Sequence, residues 1–83
     1  MDFEALKQAG AGRSAPEAVA ALYREAYARY GVSALWSRRA RTEPTITMAL
    51  VVADALRREG DLAARRFAAR IEEACRAAVA AAE

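Results

Sequence analysis

Thr45-Ile46-Thr47-Met48-Ala49-Leu50-Val51-Val52-Ala53-Asp54-Ala55-Leu56-Arg57-Arg58-Glu59-Gly60-Asp61 reads as one helix with its start, its stop and the start of the next helix all marked. Pro44 pushes Glu43 out of the α region, so the helix begins after it. Thr45 carries the hydroxyl of an N-cap. Gly60 is a stop and Asp61 a second cap, which makes Gly60-Asp61 the tight joint of an αα-hairpin. Ile46, Met48, Ala49, Leu50, Val51, Val52, Ala53 and Leu56 cover most of the circumference, leaving Thr47, Asp54 and Arg58 as a narrow polar strip. A helix apolar nearly all round is a buried helix. Two readings satisfy that: the central element of the monomer, or a face shared with another chain.

Downstream, Ala64, Phe67, Ala68, Ile71, Ala74, Cys75 and Ala78 recur at helical spacing, predicting a helix from Asp61 to about Ala80 with a fraying tail from Ala77. Upstream, Ser14-Ala15-Pro16-Glu17 has the form of a capping box, with Pro16 placed where a first-turn proline is harmless. The helix it opens runs to Tyr30, stops at Gly31 and buries Val19, Leu22, Tyr23, Ala26, Tyr27 and Tyr30. A short helix from Asp2 to Gln8 precedes it, with Asp2 as N-cap and Phe3 and Leu6 on one side; Gly10-Ala11-Gly12 ends it. Between the second and third helices, Ser33 is placed to cap a single turn carrying Leu35 and Trp36. A basic connector, Arg38-Arg39-Ala40-Arg41-Thr42-Glu43-Pro44, follows.

Composition agrees. Alanine supplies 24 of the 83 residues and is the best helix former, while strand-favouring residues are few and show no sustained alternation. The expected fold is all-α: a small bundle of about four helices with a C-terminal αα-hairpin, one domain over residues 1–83. A chain of this size buries only about 60–65% of its unfolded surface, so the core is thin. The 12 arginines against one lysine, with the alanine content, suggest high-GC bacterial coding. Cys75 is the one cysteine, so no internal disulfide forms. The first 15 residues have no apolar core of a signal peptide, and the apolar run Met48 to Ala53 falls far short of the roughly 20 residues a bilayer needs. A cytoplasmic protein without membrane attachment is expected.

Catalytic chemistry finds little to work with. Acid–base and acyl-transfer mechanisms usually draw on a His, a paired carboxylate or an activated nucleophile. The chain has no His, and Cys75 falls on an apolar stripe, where a core role is expected. No metal site forms without nitrogen or further sulfur ligands unless oxygen suffices; Asp54, Glu59 and Asp61 are the nearest acidic group, and Asp54 and Asp61 have local helix roles. Gly10-Ala11-Gly12-Arg13-Ser14 lacks the preceding strand and Gly-Lys-Ser/Thr ending of a phosphate loop, and reads as a hinge. The expectation is no enzyme and no cofactor.

The charge is unevenly placed. Residues 1–31 hold four basic and four acidic side chains, residues 43–83 six and seven, and residues 32–42 hold Arg38, Arg39 and Arg41 with no acid. Glu25–Arg29, Asp54–Arg58, Asp61–Arg65 and Glu72–Arg76 are spaced as i,i+4 pairs that support solvated helix faces. Trp36 beside Arg38, Arg39 and Arg41 combines the residue types most enriched at binding hot spots, and these four are the candidate partner-binding residues. The plainer reading makes Trp36 a plug for the thin core with the arginines in water. The expected function is a non-catalytic protein-interaction module, such as a small bacterial accessory subunit or antitoxin-like partner protein, with a protein partner or a homodimer. The alternative is a nucleic-acid-binding, helix-turn-helix-like protein in which Arg65, Arg66 and Arg70 face the duplex; the net negative charge of residues 43–83 weighs against it. Arginine donation to a partner enzyme's site is a third possibility.

Overall fold

The computed structural model describes residues 1–31 and 40–82. It has four helices: α1 (Phe3–Ala9), α2 (Glu17–Tyr30), α3 (Ile46–Glu59) and α4 (Leu62–Ala82). Among the described residues there is no strand, only an isolated bridge between Ser14 and Thr45. The all-α bundle with its C-terminal αα-hairpin is therefore the observed architecture. α1 and α2 each pack on both α3 and α4.

Local sequence explains most helix ends. Asp2 accepts from the Ala5 N–H at 2.7 Å and opens α1. Thr45 accepts from the Met48 N–H at 3.1 Å, and Asp61 from the Ala64 N–H at 2.9 Å. Each satisfies one of the orphan amides that every helix start carries. At the end of α1, the Thr47 hydroxyl donates to the Lys7 carbonyl at 2.6 Å, so one side chain of α3 closes the last turn of another helix.

The start of α2 differs from expectation. Ser14 and Glu17 do not form a capping box; Pro16 occupies the cap position and no side chain caps the helix. Ser14 is drawn instead into the bridge, where the Ala15 N–H donates to the Pro44 carbonyl at 2.9 Å and the Ile46 N–H to the Arg13 carbonyl at 3.0 Å. Glu17 turns along its own helix to Arg24, at 2.6 Å. Two backbone hydrogen bonds thus replace the side-chain reciprocity that the motif suggested. Gly31 is right-handed and Gly60 extended (φ −96°, ψ 168°), so neither serves as a left-handed stop. The positive φ lies at Gly12, at 75°, where the chain turns from α1 toward the bridge. Gly10 is needed for closeness: a Cβ there would stand 2.7 Å from Ile46 Cγ2.

The core settles the position of α3. Ile46, Ala49, Leu50, Val52, Ala53, Ala55 and Leu56 are buried, so α3 lies inside the monomer. α2 contributes Val19, Ala20, Tyr23 and Ala26; α4 contributes Ala64, Phe67, Ala68, Ile71, Cys75 and Val79. Val79 corrects the frayed tail expected from Ala77: α4 stays helical to Ala82 because Val79 is buried at its end. No polar or charged side chain is buried among the described residues.

Ion pairs tie the surface together. Glu25–Arg29, Asp54–Arg58 and Glu72–Arg76 form as the spacing predicts, at 3.0, 3.2 and 2.8 Å. Asp61 instead spends its carboxylate on the cap of α4. Glu72 has a second partner that the sequence did not announce, Arg57 of α3 at 2.5 Å. Arg57 in turn lies 5.7 Å from the centre of the Phe3 ring, and Arg76 donates to the Met1 carbonyl. One mostly covered carboxylate therefore orients two arginines that hold the N-terminal end against α3 and α4. Hydrogen bonding from Arg76, and then from Arg57, holds the Glu72 carboxyl below the ordinary value near 4.5.

Two outcomes follow for stability. Leu50 is fully buried, and Leu50→Ala should lower unfolding free energy by about 2–5 kcal/mol in urea titrations; a change below about 1 kcal/mol would remove Leu50 from the core. Because folding lowers the Glu72 pKa, its contribution is present above the ordinary carboxylate value and is lost as pH falls through the lower, folded value. Glu72→Gln should therefore reduce the melting temperature at neutral pH and flatten its decline on acidification relative to the parent chain.

Candidate functional site

Of the four residues singled out by the sequence, Trp36, Arg38 and Arg39 lie outside the described residues, and Arg41 lies within them. Arg41 is exposed, and its placement comes from its backbone: its N–H donates to the Tyr23 hydroxyl at 2.9 Å. Tyr23 is only 2% exposed, so its phenol is a fixed post rising from the core of α2. Three residues on, Pro44 is buried and its carbonyl is held in the bridge, and Thr45 caps α3. Residues 40–43 are thus pinned at both ends.

Between this pinned segment and the two helices lies an open groove of about 860 Å³. Tyr23 and Tyr27 of α2 and Met48, Val51 and Val52 of α3 give it an apolar floor; Arg41, Thr42 and Glu43 form the opposite wall. The two tyrosine rings pack against each other with centroids 5.2 Å apart and planes tilted by 58°, a favourable aromatic arrangement that stiffens the α2 side. Tyr27, Met48 and Val51 remain half-buried. Arg41 and Glu43, both exposed, form no ion pair with any described residue, in contrast to Arg24, Arg29, Arg57, Arg58 and Arg76.

Sequence reasoning singled out Arg41 through its charge and did not anticipate the groove that it lines. Tyr27 and Met48 read as ordinary core positions, since helical periodicity cannot say which part of an apolar stripe ends up half-buried. A usable signal was present at Val51. It falls between Thr47 and Asp54 on the polar strip of α3, and an aliphatic side chain on a solvent-facing strip marks a surface that something can cover.

The other candidates do different work. The backbone groups of the Gly10–Ser14 turn are engaged: the Arg13 N–H donates to Gly10 and the Arg13 carbonyl accepts from Ile46. Among the described residues, no group of three or more His, Cys, Asp or Glu side chains is placed to hold a metal ion. No described helix is long and apolar enough to cross a membrane. Arg65, Arg66 and Arg70 are exposed on α4, Arg70 standing 5.1 Å from the Phe67 ring centre with Arg29 of α2 at 5.7 Å from the same ring.

Cys75 has no exposed surface, and its Sγ sits 4.0 Å from the Ile46 carbonyl. Burial, with a smaller contribution from the Glu72 charge, pushes its thiol up to about 12. The thiolate is the reactive form, so a disulfide reagent at pH 8 should label native Cys75 only as fast as the protein opens, and labelling should become immediate in denaturant. Rapid labelling of the native chain would show an accessible thiol. In comparisons with known proteins, no family model, no curated protein and no solved structure matches this chain.

Proposed function

We propose that this chain is a non-catalytic helical protein-interaction module, a small bacterial accessory subunit or antitoxin-like partner protein, and that the groove between α2 and α3 is its contact face. The observation that carries this reading is the groove itself, with half-buried Met48 and Val51 in its floor and exposed Arg41 and Glu43 in its wall, neither of which forms an ion pair with a described residue. Covering such a floor releases water from apolar surface, the dominant favourable term in protein association. Aromatic side chains and arginine, present here as Tyr27 and Arg41, are among the types enriched at interface centres. The fixed Tyr23–Arg41 contact favours the reading further, because a preformed wall loses little conformational entropy on binding. The unbridged Cys75 accords with a cytoplasmic setting.

Val51→Asp places a charge in the floor at a half-buried position. Affinity capture from the chain's own cells should retain a partner, a second copy of the chain included, on the parent protein and lose it on Val51→Asp, with far-UV circular dichroism unchanged. Retention indifferent to Val51→Asp, or no retention at all, would overturn the reading. Tight binding to mixed-sequence DNA or RNA that is lost in Arg66→Ala/Arg70→Ala would put a nucleic-acid-binding protein in its place.

A further inference from the structure

We infer that α1 is a releasable strap: it lifts off α3 and α4 about the Gly10–Gly12 turn while the other three helices stay folded, and Glu72 latches it shut through Arg57 and Arg76. α1 has seven residues and buries Leu6 alone, whereas α2, α3 and α4 bury four, seven and six side chains. It packs on α3 and α4 and not on α2. A helix of this length has no stability of its own in water. Its order depends on the surface beneath it, and an element secured by so few buried apolar contacts is the first to open.

The chain has a hinge where such a strap needs one. Gly12 has φ 75°, and a Cβ placed there would meet no described atom within 4 Å. The residues that follow are clamped: the Arg13 carbonyl accepts from the Ile46 N–H at 3.0 Å, and the Ala15 N–H donates to the Pro44 carbonyl at 2.9 Å. Movement on the N-terminal side of Gly12 leaves that clamp intact. At its far end the strap is held by polar contacts. Arg76 donates to the Met1 carbonyl, and Arg57 stands 5.7 Å from the centre of the Phe3 ring. The Glu72 carboxylate aims both guanidiniums, at 2.5 Å for Arg57 and 2.8 Å for Arg76. Near the hinge, the Thr47 hydroxyl holds the Lys7 carbonyl and Gly10 lies against Ile46. Lifting α1 breaks these contacts and uncovers the sides of Ile46 and Val79 that face Gly10 and Leu6. Leu50, Leu56 and Ile71 stay packed between the helices that remain.

Native-state hydrogen exchange of the full chain, followed residue by residue by NMR in urea well below the unfolding midpoint, tests the strap. Its reporters are the Leu6 and Gly10 amides, which donate to the Asp2 and Leu6 carbonyls. The Ala53 and Ile71 amides, inside α3 and α4, report on the core. The strap amides should exchange about a hundredfold faster than the core pair. Urea should accelerate the core pair and leave the strap amides unmoved, because a local opening exposes little surface. Glu72→Gln should speed the strap amides by a further factor of about ten, still without a response to urea. Strap amides as protected as the core pair, or accelerated by urea as steeply, would overturn the independent opening. Strap amides that exchange no faster in Glu72→Gln would overturn the latch.

Discussion

Burial of α3 is the constraint on which the rest of the structure depends. A chain this short has one chance to build a core, and it does so by surrounding one nearly all-apolar helix with three others. Ala49, Ala53 and Ala55 of α3 and Ala64 and Ala68 of α4 have no exposed surface. These small side chains let the helix axes approach closely, so that Leu50, Leu56, Phe67 and Ile71 fill the space left between them. Alanine therefore serves twice, as a helix former and as a spacer. Among the described residues no charged side chain is buried, and beside the Tyr23 hydroxyl bonded to the Arg41 N–H it is packing that defines the core.

The groove is a by-product of how that burial is arranged. Among the described residues, the side of α3 that carries Met48 and Val51 is only half-buried where it meets α2 and the segment before Pro44. Residues 40–43 stand at its edge because backbone groups hold them: the Arg41 N–H on the Tyr23 hydroxyl, and the Pro44 carbonyl on the Ala15 N–H. The same few hydrogen bonds that finish the fold also set the distance across the candidate site. Sequence changes in the core and in the site are consequently coupled, since Tyr23 belongs to both.

Much of the fold was legible because helix signals are local. Asp2, Thr45 and Asp61 cap as their chemistry requires, and the apolar periodicity of α2, α3 and α4 marks the faces that the structure buries. What was not legible is non-local. Ser14 and Glu17 carry a capping motif, yet Ser14 is taken by Thr45 from the far side of α2, a competition no short window can reveal. The Arg57–Glu72 pair joins two helices and has no spacing rule. Val79 is buried because the N-terminal end reaches it, sharing a notch with Met1 and Leu6. The candidate site was half read: Arg41 stood out by charge, whereas Tyr27, Met48 and Val51 come from two helices and meet only after folding. The polar strip of α3 held the missing clue, a valine where the pattern calls for a hydrophilic residue.

The bridge between Ser14 and Thr45 bears on the order of assembly. The α3–α4 hairpin closes across two residues, so its chain entropy cost is small. Seating α1 and α2 requires much longer loops to close, ending in a pair of hydrogen bonds that exist only when α3 is already in place. Closing the C-terminal hairpin is therefore the cheaper step in chain entropy, and seating the N-terminal half against it the dearer one.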